Sequence, residues 1–148
     1  MWKNIFKTTL IAGALDILAA FVQAYISKGL MPKVILQFIA SGIFGEAAYS
    51  GDFGYILFGL LVHFFIAFAI TSVFFFIYPK ISFFQKNILF NALLIAVSAW
   101  FITQRIVIPM SRIGTSDFDW GKAILAIAIL FFCIGIPVSY FTKKFYNK

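Results

Sequence analysis

Residues 53–78 read FGYILFGLLVHFFIAFAITSVFFFIY and contain no Asp, Glu, Lys or Arg. A helix needs about 20 mostly apolar residues to cross the hydrocarbon core of a bilayer. The stretch is longer than that, so a helix over it should tilt or extend beyond the hydrocarbon. Residues 53–78 therefore predict a membrane-spanning helix.

The rest of the chain has the same character. It has 148 residues, of which 63% are hydrophobic and 11% are charged, whereas soluble domains are about 45–50% apolar and about 25% charged. Three further stretches are long and apolar enough to span: 5–27, 88–109 and 122–142. We therefore expect a single transmembrane domain over residues 1–148, an all-α, integral membrane four-helix bundle.

A shorter apolar segment, residues 32–44, lies between the first two spans. Its apolar core, Val34 to Phe44, is too short to cross a membrane. Polar side chains recur every four residues along it, at Lys33, Gln37 and Ser41. This pattern predicts a short interfacial or re-entrant helix, and the continuous polar face favours the interface. Gln37, Ser41 and the neighbouring Glu46 are the candidate interfacial residues.

The charges on the two sides of this bundle differ. With four spans, the termini and the 79–87 loop share one side, which has seven lysines and no acid: Lys3, Lys7, Lys80, Lys86, Lys143, Lys144 and Lys148. On the other side the charges sum to zero: Lys28, Lys33, Arg112 and Lys122 against Glu46, Asp52, Asp117 and Asp119. By the positive-inside rule, both termini are expected in the cytoplasm. Asp117 and Asp119 are expected to cap the fourth helix or to stay solvated.

An acid interrupts the first span, IAGALDILAAF (11–21), at Asp16. An Asp at the centre of a span costs about 2.5–3.5 kcal/mol, and each Leu, Ile or Phe returns only about 0.3–0.6 kcal/mol. At about 1.5 Å of rise per residue, Asp16 lies roughly 16 Å from the cytoplasmic edge and His63 roughly 15 Å from the opposite edge. The two residues therefore reach the same depth in a core about 30 Å thick. We predict an Asp16–His63 pair, with Ser98 of the third span close by.

The spacing of other polar residues predicts that this interior is polar. Three stripes follow helical spacing: Thr9, Asp16 and Gln23; Asn91, Ser98 and Arg105; and the small-residue face Gly59, His63, Ala67 and Thr71. Small residues let helices approach closely, so the three stripes are expected to face one another. Gln23, Gln104 and Arg105 would then cluster in the outer half, near Glu46.

Two interpretations of these residues stay open. The Asp16–His63 pair either fixes the register of two helices or titrates as an intramembrane site. Arg105 either anchors at the headgroups or reaches towards Asp16.

No pattern in the sequence points to catalysis. Cys133 is the single cysteine, which excludes an internal disulfide or a CxxC site, and it is expected to be a packing residue. One histidine without a nearby Cys or Glu is a poor metal site, and no catalytic triad, phosphate loop or cofactor motif is present. Because the basic residues flank apolar runs, they do not indicate nucleic-acid binding. We expect no enzyme activity, no metal and no cofactor.

The middle of the chain resembles a known group of proteins. Residues 62–113 contain His63, the turn Pro79–Lys80–Ile81, then Phe84 and Gln85, and the step Pro109–Met110. In these features the stretch resembles the small bacterial inner-membrane proteins grouped as YagU-like, or DUF1440. The resemblance implies a bacterial cytoplasmic membrane protein of unestablished activity and assigns no catalytic residue.

These observations predict a small multi-pass protein of the bacterial inner membrane. We expect a structural, accessory or partner-binding role, with the lipid bilayer and either a second copy or another membrane protein as partners. The alternative is an oligomeric transporter or proton-relay protein that uses the Asp16–His63 pair.

Overall fold

The computed structural model describes residues 1–147, so Lys148 of the predicted cytoplasmic charge cluster lies outside the described residues. Every regular element of that range is helical. Four helices are long and apolar enough to cross a membrane: α1 (Trp2–Lys28), α3 (Phe53–Lys80), α4 (Ile88–Met110) and α5 (Trp120–Tyr146). The short helix α2 (Pro32–Phe44) lies between α1 and α3. The prediction of an all-α fold with four long apolar helices is confirmed.

Side-chain caps set several helix ends. The carboxylate of Asp52 accepts a hydrogen bond from the Gly54 amide at the start of α3 (2.8 Å). Asn87 accepts from two amides at the start of α4, and Asp119 accepts from the Lys122 amide at the start of α5 (3.0 Å). Such caps satisfy amides that have no partner inside the helix. Because the Asp119 cap sets its start, α5 begins two residues before the predicted span.

Two π-helical turns interrupt the α-helical hydrogen bonding. They cover Ile102–Val107 in α4 and Phe131–Gly135 in α5. Arg105 lies four positions before Pro109, and Cys133 lies four positions before Pro137. Each π-helical turn therefore contains the residue four positions before a proline. Proline has no N–H to donate to that residue's carbonyl, and its ring clashes with the carbonyl oxygen. The wider turn accommodates each proline, and α5 continues through Pro137 to Tyr146.

The packing order of the long helices differs from the predicted one. Helix α5 packs against both α1 and α4, while α3 packs mainly against α1 and α2. Gly135 of α5 lies directly against the backbone of Ala92 in α4, with no room for a side chain. The expectation that the stripe of α4 faces those of α1 and α3 is wrong, because α5 is the neighbour that α1 and α4 share.

Helix α2 packs on α3 through a glycine. The carbonyl of Leu36 occupies the space that a side chain on Gly59 would need. Gln37 and Ser41 are buried in the protein, and the Ser41 hydroxyl donates to the Phe38 carbonyl (2.6 Å). The polar side chains predicted to form one outward face are therefore divided, because only Lys33 of the three is exposed. The predicted interfacial position of α2 stays a prediction.

Candidate functional site

Asp16 of α1 and His63 of α3 lie side by side. The Asp16 Oδ2 to His63 Nε2 distance is 4.0 Å, and the two side chains are 18% and 12% exposed. The structure thus brings together the two residues whose depths match in the sequence. That distance exceeds hydrogen-bond length.

The hydrogen bond of His63 goes to the backbone of α1. Its Nε2 lies 2.9 Å from the carbonyl oxygen of Gly13. A carbonyl oxygen can only accept, so Nε2 carries a hydrogen and donates it to Gly13. The carboxylate of Asp16 forms no hydrogen bond with any of residues 1–147. The site therefore contains an imidazole N–H that already donates to the Gly13 carbonyl. The carboxylate beside it can still accept hydrogen bonds.

Small residues bring α1 close enough for this bond. A Cβ on Gly13 would lie 2.8 Å from Cε1 of Phe64 and 3.4 Å from Cβ of Ala67. The Phe64 ring thus occupies the space beside Gly13 and lies nearly perpendicular to the His63 ring. Close approach through small residues is the usual way in which apolar helices associate. The Gly13 carbonyl was not among the predicted site residues, although a glycine three positions before the acid was the available signal.

Ser98 does not join the pair, contrary to the prediction. It is exposed on α4, whose buried residues are Asn91, Ala92, Ile95, Ala96 and Ala99. Asn91 lies at the edge of this buried face, held there because its side-chain amide donates to the Phe84 carbonyl (2.6 Å). One heptad along a straight α-helix rotates the direction by about 20°. That rotation turns Ser98 out of the buried face.

The residues predicted to cluster in the outer half are exposed. The Arg105 guanidinium carbon lies 4.8 Å from the Phe118 ring centre and 5.8 Å from that of Trp100, so Arg105 is held by aromatic rings. Gln23 lies near Ser27 of its own helix (3.5 Å). Gln104 and Glu46 are exposed, as Ser98 is, and none of the three forms a hydrogen bond or ion pair with Asp16 or His63 within residues 1–147. Arg105 is therefore not a partner of Asp16.

Several buried polar atoms have no hydrogen-bond partner within residues 1–147. They belong to Thr9, Thr71, Ser72, Tyr78, Asn91 and Ser139. All six lie in the half of the bundle that contains both chain ends, since they are near the start of α1 or α4 or near the end of α3 or α5. Burial of an unpaired hydroxyl or amide is costly. Between Asp16 and the chain ends, the interior of the bundle therefore contains more polar groups than the apolar composition of the helices suggests.

The described residues contain no group of three His, Cys, Asp or Glu side chains that could hold a metal. An acid beside an imidazole can either hold two helices in register or exchange a proton. Comparisons with protein-family models, curated proteins and solved structures gave no match. The function is therefore argued from the geometry of this chain.

Proposed function

We propose that this chain is a multi-pass protein of the bacterial inner membrane with both termini in the cytoplasm. Four helices have the length and composition of membrane spans. The lysine excess on the terminal side supports the orientation. The resemblance of residues 62–113 to YagU-like proteins supports the bacterial inner membrane.

We propose that the protein is a structural or accessory membrane protein, in which the Asp16–His63 pair fastens α1 to α3 in one register. The hydrogen bond from His63 to the Gly13 carbonyl is the observation that carries this proposal. A bond to backbone depends on the exact position of one helix along another. Polar groups buried between helices serve this purpose elsewhere. The fixed bundle would present its apolar outer surface to a second copy or to a membrane-protein partner.

Thermal unfolding in detergent micelles tests the fastening role. His63→Phe removes the bond to Gly13 and leaves Asp16 without its neighbour, so it should lower the Tm by several degrees. Asp16→Asn keeps the bond and should cost around 1 kcal/mol. Ser98→Ala is the control, because Ser98 is exposed on another helix. Equal Tm values for wild type and His63→Phe would contradict the fastening role.

Partner binding needs a separate measurement. Native mass spectrometry of the protein extracted from its own membranes should detect a stoichiometric complex with itself or with one membrane protein. A monomer alone, in extracts where known complexes survive, would refute the accessory role.

A proton relay is the second candidate, and the Asp16 carboxylate favours it. The hydrogen bond between His63 and Gly13 does not involve Asp16, and the carboxylate receives no hydrogen bond from residues 1–147. An ionisable group inside a span is costly and usually marks a function. Since four helices are few for a transport path, this role would require an oligomer.

Proteoliposomes that contain a pH-sensitive dye test the relay. Under an imposed potential, the wild type should carry protons and Asp16→Asn should not, while both keep the same circular dichroism. Ser98→Ala should carry protons like wild type. Equal flux in wild type and Asp16→Asn would exclude Asp16 as the proton site.

A further inference from the structure

The contacts at the Asp16–His63 pair determine which residues of α1 and α3 should lie opposite one another further along the two helices. Gly13 faces Ala67, and one turn further Asp16 meets His63. The two helices are antiparallel, so a step of four residues towards the start of α1 corresponds to four residues towards the end of α3. That register predicts that Thr9 lies opposite Thr71.

Both threonine side chains are buried and unpaired. Thr9 is 3% exposed and Thr71 is 0% exposed, and neither hydroxyl has a hydrogen-bond partner within residues 1–147. Helical hydroxyls often donate to their own backbone, as Thr142 does to the Val138 carbonyl (2.7 Å). Thr9 and Thr71 do not. Each hydroxyl has both its donor and its acceptor capacity left.

A shared ligand would satisfy both hydroxyls. Buried water usually bonds to two to four polar groups that otherwise lack partners, and water can accept from one hydroxyl while it donates to the other. We propose that Thr9 and Thr71 together bind an internal water molecule between α1 and α3. This inference goes beyond the proposed function, because it depends only on the two hydroxyls and applies whether the Asp16–His63 pair is structural or carries protons.

The site lies on one side of the pair only. Thr9 is about 10 Å along the helix axis from Asp16, towards the chain termini. Beyond Asp16 in the other direction, the buried residues of α1 are Ile17 and Ala24, which are apolar. The polar groups between α1 and α3 thus continue from the pair towards the terminal side. A proton that left the pair along this interface would meet the water on that side.

A double-mutant cycle tests the shared ligand. Thr9→Val and Thr71→Val each remove one hydroxyl and leave the opposite one without its bridge, so each should lower the Tm by several degrees. The double variant removes both and should be no less stable than either single variant. Thr142→Val is the control, since its hydroxyl bonds within its own helix, and its effect should add to that of Thr9→Val. Strictly additive effects of Thr9→Val and Thr71→Val would overturn the proposal.

Solid-state NMR of the wild type in lipid gives an independent test that does not depend on the valine variants. Magnetisation transferred from water protons should reach the Thr9 and Thr71 side chains faster than the equally buried apolar Ala12. Conservative Thr9→Ser and Thr71→Ser variants should keep the transfer. Transfer to the threonines no faster than to Ala12 would overturn the proposal.

Discussion

Gly13→Ala should loosen the contact between α1 and α3. The added Cβ would lie 2.8 Å and 2.9 Å from two carbons of the Phe64 ring, whereas carbon atoms pack best at about 3.5–4.0 Å. The ring or α1 must therefore move by several tenths of an ångström. Any outward shift of α1 also lengthens the 2.9 Å bond from His63 to the Gly13 carbonyl.

The magnitude combines three effects. Overpacking costs about 1–3 kcal/mol, and loss of the His63 hydrogen bond costs about 0.5–1.5 kcal/mol. The higher helix propensity of alanine returns about 1 kcal/mol. The net destabilisation is thus about 2 kcal/mol, which corresponds to a fall in Tm of about 4–8 °C for a chain of this size.

Thermal unfolding of purified protein in one detergent measures this change. Gly42→Ala is the matched control, because a Cβ there would meet Ser111 and Ile113 only at ordinary contact distances of 3.5–3.6 Å. That variant should be as stable as wild type or slightly more stable. If Gly13→Ala and Gly42→Ala behave alike, the close approach at Gly13 does not hold the helices together.

Three further outcomes are expected. Gly135→Ala should destabilise more than Gly13→Ala, because its Cβ would meet the backbone of Ala92 rather than a movable ring; a smaller loss in thermal unfolding would contradict this packing. Arg105→Ala should remove the contacts with Phe118 and Trp100 at a cost of about 0.5–1 kcal/mol, and a larger loss in the same assay would mean that Arg105 has a buried partner. Reporter fusions should place the C-terminus in the cytoplasm and the 112–120 loop outside, and an external signal from the C-terminus would refute the four-span topology.

The number and extent of the long helices could be predicted from the sequence. Lipid tolerates no unpaired backbone groups, so a long apolar run without charges has to be helical. The juxtaposition of Asp16 and His63 was also predictable, because helix rise is constant and the ends of the apolar runs set the depth of each residue.

Which face of each helix packs against another helix could be learned only from the tertiary structure. An apolar side chain is equally well accommodated by lipid and by another helix, so hydropathy did not reveal that α5 would be the neighbour shared by α1 and α4. Ser98 is exposed, so it lies on a face of α4 other than the one that the prediction required.

Local close packing decided the details of the site. The Gly13 carbonyl became the partner of His63 because Gly13 and Ala67 let α1 and α3 approach closely. Gln37 and Ser41 turned inwards as α2 packed against Gly59 of α3. The length of an apolar run and the charges beside it can be read from the sequence, and they predict where each long helix lies. The fit between a glycine and the side chains that face it exists only once the helices have packed.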